Sequence, residues 1–181
     1  MDDQSSRPGS QVTIAHLHER SYSQYADRPA VIAPEGVVTY SQLGKRVHQL
    51  VNGLSARGLV RGDRGVILLD NCAEFFEIDQ ALFVGGFVRV ALSPRLHGRE
   101  IRYILEDCGA RALFTTRDQA DRLAEHIGDL ASLKLVVTVD DGPMTLAELK
   151  GGEATEPPVV LPSPDEPAAL LYTSGTTGAP K

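Results

Sequence analysis

The 181-residue sequence contains no tryptophan, only two cysteines and no long apolar run. Cys72 and Cys108 form no Cys-x-x-Cys pair, so the sequence lacks both a zinc-binding cysteine pattern and the cysteine density of a secreted disulfide scaffold. The longest apolar stretch, residues 81–88, is too short to cross a bilayer, and we expect no transmembrane segment. Polar and acidic residues follow Met1, which argues against a signal peptide and favours a cytoplasmic protein.

Positive charge is also scarce, because 18 Lys and Arg residues stand against 24 Asp and Glu residues, a formal net charge of -6. A mildly acidic chain without a basic run is a poor fit to a nucleic-acid-binding surface, so we expect no nucleic-acid partner. Arg57, Arg61 and Arg64 cluster among glycines and are interpreted as part of a solvated turn. The hydrophobic content of 42% is ordinary for a globular domain that is long enough to bury a core.

Apolar runs and amphipathic stretches alternate along most of the chain. Residues 43–54 carry apolar side chains at helical spacing after Ser41, a candidate N-cap, and residues 65–69 form an apolar run typical of a strand buried on both faces. This alternation predicts an α/β fold with a mostly parallel sheet and helices on both faces. The other predicted strands are residues 30–33 and 37–40, paired as a hairpin, and residues 87–92, 110–115 and 135–139; the other predicted helices follow Thr13, Asn71, His97 and Arg117.

The sequence divides into four predicted parts. Residues 1–12 are a flexible tail, residues 13–140 an α/β subdomain, residues 141–167 a connector rich in proline and glycine, and residues 168–181 a final strand with a phosphate-binding loop. In the first helix, Ile14, Leu17 and Tyr25 share a face. The connector is expected to be a surface loop with a short helix near residues 145–149, and residues 168–172 a buried strand.

Four hydroxyl groups, two glycines and a lysine follow the last predicted strand, between Thr173 and Lys181. Glycine lets the backbone approach an anion, hydroxyl and backbone N–H groups donate to phosphate oxygens, and lysine adds positive charge. Open α/β sheets bind ligands beyond the carboxyl ends of their strands, where this segment is expected. Only two residues separate Gly175 from Gly178, and Ala179-Pro180 precedes Lys181, so the spacing is not that of a Walker loop.

From Tyr172 to Lys181 the sequence resembles the phosphate-binding signature of the adenylate-forming superfamily, Tyr-Thr-Ser-Gly-Thr-Thr-Gly-x-Pro-Lys, at every fixed position. That superfamily comprises acyl-CoA synthetases, peptide-synthetase adenylation domains and luciferases. The resemblance covers roughly residues 13–181. It departs from the common pattern at Ala91, Ser93 and His97, where proline, asparagine and threonine are usual. Other stretches that look like the N-terminal part of an acyl-CoA synthetase are residues 28–31, 39–40, 61–64, 93–96 and 103–107.

The resemblance implies the N-terminal portion of the large domain of an ATP-dependent carboxylate–CoA ligase, an acid–thiol ligase that activates a fatty or aromatic acid through an acyl-adenylate. It implies ATP, Mg²⁺ and coenzyme A as cofactors and a carboxylic acid as substrate. Hydroxyl groups would hold the β- and γ-phosphates, glycines would permit close approach, and lysine would neutralise the leaving pyrophosphate. The residues implied in these roles are Thr173, Ser174, Gly175, Thr176, Thr177, Gly178 and Lys181.

Members of the superfamily are longer, and their catalytic residues, magnesium ligand and most of the acyl pocket lie downstream of the signature. We therefore expect a chain truncated after Lys181 (by proteolysis, by design or in the gene), with no catalytic or metal-binding residue and no activity alone. One alternative is the corresponding part of a peptide-synthetase adenylation domain, in which serine more often stands at the position of Thr176. Another is a non-catalytic subdomain that binds or assembles. An incomplete sheet would leave an open edge, which would allow a homo-oligomer.

Overall fold

The computed structural model describes residues 12–157 and 161–173, so nearly all of the expected tail lies outside it. Helices and strands alternate through the described residues. Their bounds are α1 Ile14–Gln24, β1 Pro29–Ala33, β2 Gly36–Thr39, α2 Tyr40–Ala56, β3 Arg64–Ile67, α3 Ala73–Val84, β4 Val88–Ala91, α4 Gly98–Asp107, β5 Ala112–Thr115, α5 Arg117–Ile127, β6 Leu135–Thr138, α6 Leu146–Lys150 and β7 Ala169–Leu170.

Five of these strands form a parallel sheet in the order β6-β5-β3-β4-β7, while β1 and β2 pair as the predicted antiparallel hairpin. Parallel neighbours need a crossover, which explains why α3, α4 and α5 follow β3, β4 and β5. The chain passes from β3 outward to β4 and then returns to the other side of β3 to form β5, so the winding direction reverses between β3 and β5. The predicted α/β fold with a parallel sheet is confirmed.

Helices cover both faces of the sheet, and β3 contributes to both cores. Ile67 belongs to the core that contains buried side chains of α1, α2, α3 and α6, whereas Val66 belongs to the core that contains those of α4 and α5. Both residues have 0% exposed surface. Within the described residues, no helix has the length and apolar character needed to span a membrane.

The residues that cap two helices differ from the prediction. Thr39, not Ser41, is the N-cap of α2: its hydroxyl accepts from the Gln42 N–H, and the Gln42 side chain accepts from the Thr39 N–H at 2.9 Å. Cys72, not Asn71, precedes α3 and makes no side-chain capping bond. In each case the observed N-cap lies within two positions of the predicted one. The sequence pattern alone therefore does not fix the residue at which the helix begins.

The buried face of α1 also differs from the prediction. Ile14, Leu17 and Tyr25 are exposed, whereas Ala15 and Tyr22 are buried. The ring of Tyr22 lies against Gly44 of α2, where an added Cβ would stand 2.7 Å from Tyr22 Cγ. This close approach and the hydrogen bond from Tyr22 Oη to Gln80 Oε1, at 2.6 Å, select a partly polar face that hydrophobic spacing alone does not favour.

Part of the predicted connector belongs to the core. Leu146 and Leu149 of α6 are buried against α2, and a Cβ at Gly53 would lie 2.1 Å from the Leu149 carbonyl oxygen. The expectation of a surface loop was therefore wrong for α6, although its helix was expected. The division of the chain into four parts stays a prediction.

Candidate functional site at the carboxyl edge of the sheet

The segment implied in phosphate binding begins beyond the carboxyl end of β7. This strand runs parallel to β4, with Arg89 opposite Ala169 and Val90 opposite Leu170. Tyr172 and Thr173 consequently follow β7 at the edge of the sheet where open α/β folds bind ligands. Thr173 is the one implied phosphate-binding residue inside the described ranges; Ser174, Gly175, Thr176, Thr177, Gly178 and Lys181 lie outside them.

The strand that leads to this segment is shorter and more exposed than expected. Only Ala169 and Leu170 form β7, which occupies one end of the sheet among the described strands. Leu170 is 37% exposed and Leu171 is 76% exposed, so the prediction of a buried strand over residues 168–172 was wrong. An edge position leaves one side of the strand and part of its faces uncovered by the described residues, whatever the hydrophobicity of the sequence.

An arginine–glutamate pair secures the chain just before β7. Arg61 Nη2 donates to both carboxylate oxygens of Glu166, at 2.7 and 2.8 Å, and to the Leu161 carbonyl at 3.3 Å. Glu166 also accepts from the Ser163 N–H at 3.2 Å. The hydrogen bond from Arg61 lowers the pKa of Glu166, so the carboxylate stays ionised and the pair stays charged at neutral pH.

A second side-chain contact holds the chain just after β7. Tyr172 Oη donates to Asp107 Oδ2 at 2.5 Å, at the end of α4, and the tyrosine ring packs on the core formed by α4 and α5. Burial raises the pKa of Tyr172, and the hydrogen bond to Asp107 raises it further, so the phenol keeps its proton and remains a donor. Tyr172 is also the first fixed residue of the signature, so the signature starts at one of the two contacts that hold the chain around β7.

The turn interpreted as solvated is exposed over most of its length, but two of its arginines also make structural contacts. Besides Arg61, Arg64 donates through Nε to the Cys108 carbonyl and through Nη2 to the Gly109 carbonyl, both at 2.5 Å. These carbonyls lie at the end of α4, where a cationic side chain is favourable. Arg61 and Arg64 lie in one stretch that carried the family resemblance, residues 61–64, and Asp107 lies in another, residues 103–107, but the sequence did not reveal their partners.

The described ranges offer no evident metal centre or reactive thiol. They contain no group of three or more His, Cys, Asp or Glu side chains that could hold a metal ion. Burial raises the pKa of the thiols of both Cys72 and Cys108, so each remains protonated at neutral pH. Within the described residues, neither feature adds a candidate site to the segment that follows β7.

Comparison with known families identifies the family of the chain. A family model described as AMP-binding enzyme matches residues 18–181. The chain belongs to this family. The N-terminal sequence of an AMP-binding enzyme therefore accounts for the parallel sheet and for the hydroxyl-rich segment after β7.

Curated relatives in the AMP-binding family include ligases and a peptide synthetase. The chain is 35% identical over 164 residues to the 3-hydroxybenzoate–CoA ligase of Aromatoleum sp. (strain CIB), an alignment that covers 86% of this chain and 30% of that enzyme. It is 29% identical over 171 residues to surfactin synthase subunit 2 of Bacillus subtilis (strain 168), covering 94% of this chain and 4% of that protein. The chain thus spans less than a third of either relative.

The fold of the chain also matches part of a solved ligase structure. The crystal structure of the anthranilate CoA ligase AuaEII in complex with anthranoyl-AMP superposes with a TM-score of 0.85 at 27% identity, over 92% of this chain and 33% of that one. The described sheet and helices are consequently those of an adenylate-forming ligase domain.

Proposed function

We propose that this chain is the N-terminal part of an ATP-dependent carboxylate–CoA ligase that forms an acyl-adenylate and transfers the acyl group to coenzyme A. The observation that carries the proposal is the complete signature from Tyr172 to Lys181, starting at the carboxyl edge of the sheet in a member of the AMP-binding family. Relatives and solved structures named for aromatic acids and for fatty acids both match the chain, so the proposal keeps both classes of carboxylate.

The donor set of the signature suits the charge that develops in the first half-reaction. A carboxylate oxygen attacks the α-phosphorus of ATP in line, and pyrophosphate departs with added negative charge. We assign the hydroxyl groups and backbone N–H groups of residues 173–178 to the β- and γ-phosphates, and Lys181 to the departing pyrophosphate. Mg²⁺ would neutralise further phosphate charge when bound, and we expect its protein ligands in the part of the enzyme that follows this chain.

Carboxylate-dependent exchange of pyrophosphate into ATP tests the first half-reaction. We expect exchange by the full-length protein with at least one acid from a panel that starts with hydroxybenzoates and 2-aminobenzoate and ends with fatty acids. We expect none from the 181-residue chain alone. Exchange by the short chain would contradict its predicted inactivity. A full-length protein that activates no carboxylate would favour the non-catalytic binding or assembly subdomain instead.

A lysine pair in the full-length protein tests the assignment within the signature. Lys181→Ala should slow adenylation by about 100-fold, since removal of one preorganised electrostatic contact typically costs about that much. Lys134→Ala is the matched control, because Lys134 is exposed and distant from the signature in the sequence. Equal rates for Lys181→Ala and the unaltered enzyme at saturating ATP would remove Lys181 from the proposed site.

The similarity to surfactin synthase subunit 2 favours a second candidate, an adenylation domain that loads an amino acid onto a carrier protein. The acyl acceptor distinguishes the two candidates. A ligase forms an acyl-CoA thioester from the adenylate and free coenzyme A. Activation of amino acids alone, with transfer only to a carrier-bound thiol, would support the peptide-synthetase candidate.

A further inference from the structure

Residues 153–157, which follow α6, are held to the protein by side chains of α2. Asn52 Nδ2 donates to the Ala154 carbonyl at 2.7 Å and to the Glu156 carbonyl at 3.3 Å. Between them, the Thr155 carbonyl lies 2.8 Å from His48 Nδ1. Among the described parts of the chain, His48 and Asn52 supply the hydrogen bonds that these three consecutive carbonyls accept. The attachment of the 153–157 segment therefore depends on two side chains, one of which can titrate.

His48 is buried between the segment and α1. The residue is 7% exposed, and its Nε2 lies 2.8 Å from Glu19 Oε1, on the opposite side of the ring from Thr155. A carbonyl oxygen only accepts, and so does an ionised carboxylate. A neutral imidazole carries one N–H and can donate to one of these oxygens, whereas an imidazolium donates to both. The two contacts at 2.8 Å consequently fit the protonated ring.

The charges around the ring favour the same state. The titratable groups that face it are Glu19 and Tyr22 on α1, the latter edge-on with ring centroids 5.8 Å apart, and Glu156 on the segment. Burial by itself would lower the pKa of His48. The hydrogen bonds to Glu19 and to the Thr155 carbonyl, together with the negative charges of Glu19 and Glu156, outweigh burial and raise the pKa above its usual value.

We propose that His48 is a pH-sensitive latch whose imidazolium ties the 153–157 segment to α1 and α2, and whose deprotonation releases one of these two ties. The proton goes to solvent, and no bond other than N–H is broken. Because the folded state holds this proton more tightly than the unfolded chain does, the stabilisation is complete below about pH 6.5 and is lost as the pH rises through the pKa of the folded state.

The latch acts on the part of the chain that leads toward β7. The 153–157 segment lies between α6 and the residues that Arg61 secures, so its attachment affects how firmly the approach to the sheet edge is held. Asn52 does not titrate and keeps its two bonds at every physiological pH. The neutral ring should keep its N–H on the ionised carboxylate of Glu19, which is the stronger acceptor, and give up the Thr155 carbonyl, so deprotonation should loosen the segment without detaching it fully. The latch is independent of the proposed ligase activity, since it concerns residues outside the signature.

Nuclear magnetic resonance of the 181-residue chain, with ¹⁵N-labelled histidine and backbone, tests the latch directly. At pH 6 both ring nitrogens of His48 should show the chemical shifts of N–H groups. On raising the pH to about 9, His48 should titrate with a midpoint above 6.5, and the backbone resonances of residues 154–156 should shift with the same midpoint. His18 on α1 is the internal control, because burial lowers its pKa and its midpoint should fall below 6.5.

Three variants separate the latch from a structural role. Glu19→Gln removes the negative charge but keeps an oxygen acceptor, and should lower the midpoint of His48 while the segment still responds to pH. His48→Gln should abolish the response of residues 154–156, whereas Asn52→Ala should shift these resonances at all pH values without changing the midpoint by more than about 0.3 units. A neutral His48 ring at pH 6, or an unchanged response in folded His48→Gln, would overturn the proposal; if that variant does not fold, the ring spectra and Glu19→Gln decide the question.

Discussion

Two apolar runs of the sequence, residues 65–69 and 168–172, lead to strands with very different places in this sheet. β3 lies between β5 and β4 and contributes Val66 and Ile67 to two separate cores. β7 pairs only with β4 among the described strands, and Leu171, directly after it, is largely exposed. Central packing therefore holds β3, whereas side-chain contacts outside the strand, through Arg61 and Tyr172, hold the chain around β7.

This difference has a consequence for the proposed function. A strand held by packing is stable but leaves little freedom to the residues that follow it, because every neighbour is close-packed. Where a few polar contacts hold a strand, a mutation that removes one of them can change the position of the strand without disturbing the core. The signature begins after the second kind of strand, so its position depends on contacts that mutations can remove individually.

Alanine substitutions in the two strands should give the largest contrast. Ile67→Ala should lower the free energy of unfolding by about 2–5 kcal/mol, because it leaves a cavity at a fully buried position. Leu170→Ala should lower it by about 1 kcal/mol or less, since its side chain is partly solvated and the site can collapse. Urea unfolding of both variants measures the difference, and Ile67→Val, with an expected loss of about 0.5–1.5 kcal/mol, serves if the first variant does not fold. Equal losses at the two positions would remove the distinction between the strands.

Two threonines that face each other across β5 and β6 should give smaller effects of opposite sign when they are replaced. Thr115 of β5 is buried, and its hydroxyl has no hydrogen-bond partner among the described residues, so Thr115→Val should raise the free energy of unfolding by about 1 kcal/mol. Thr138 lies opposite Thr115 in β6 and donates to the Met144 carbonyl at 3.2 Å, so Thr138→Val should lower it by about 1 kcal/mol. Thermal or urea unfolding of the two variants measures both changes in the free energy of unfolding. A loss at Thr115 similar to that at Thr138 would mean that the Thr115 hydroxyl is satisfied in solution.

Loss of Arg61 should have the smallest effect on global stability and a clear local one. Arg61→Gln removes the charged contacts to Glu166, so amide hydrogen exchange should accelerate in residues 165–173 and stay unchanged in β3. Arg57→Gln is the matched control, because Arg57 donates to the Gly53 carbonyl of its own helix and should alter neither region. Faster exchange in β3 as well would show that Arg61 supports the core rather than the approach to β7.

Patterns confined to a few neighbouring residues were sufficient to predict most helices and strands of the fold. The buried stripe of α2, for example, follows from the apolar side chains at helical spacing in residues 43–54. The errors fall where a residue's environment is set by another element. The partly polar face of α1 is buried because Tyr22 fits against Gly44, and α6 enters the core because Gly53 lets its backbone approach. Neither contact has a signature in its own segment.

The candidate site likewise combines a local feature, which the sequence predicts, with contacts between distant residues, which it does not. The signature could be matched residue by residue because it is contiguous, but its supports join residues that are distant in the sequence. Arg61 and Glu166 are 105 positions apart, and Tyr172 and Asp107 are 65 apart. Each of these residues taken alone resembles an ordinary surface charge or a core aromatic.

The sequence by itself determined membership of the AMP-binding family and the order of helices and strands, since both depend on local spacing and on a contiguous motif. Only the tertiary structure decided that β7 is exposed at one end of the sheet that the described strands form, that Asp107 accepts a hydrogen bond from the Tyr172 hydroxyl and that His48 lies between two acceptors. The physical reason is that burial and hydrogen-bond partners depend on which elements pack together, and that choice is made by the whole chain.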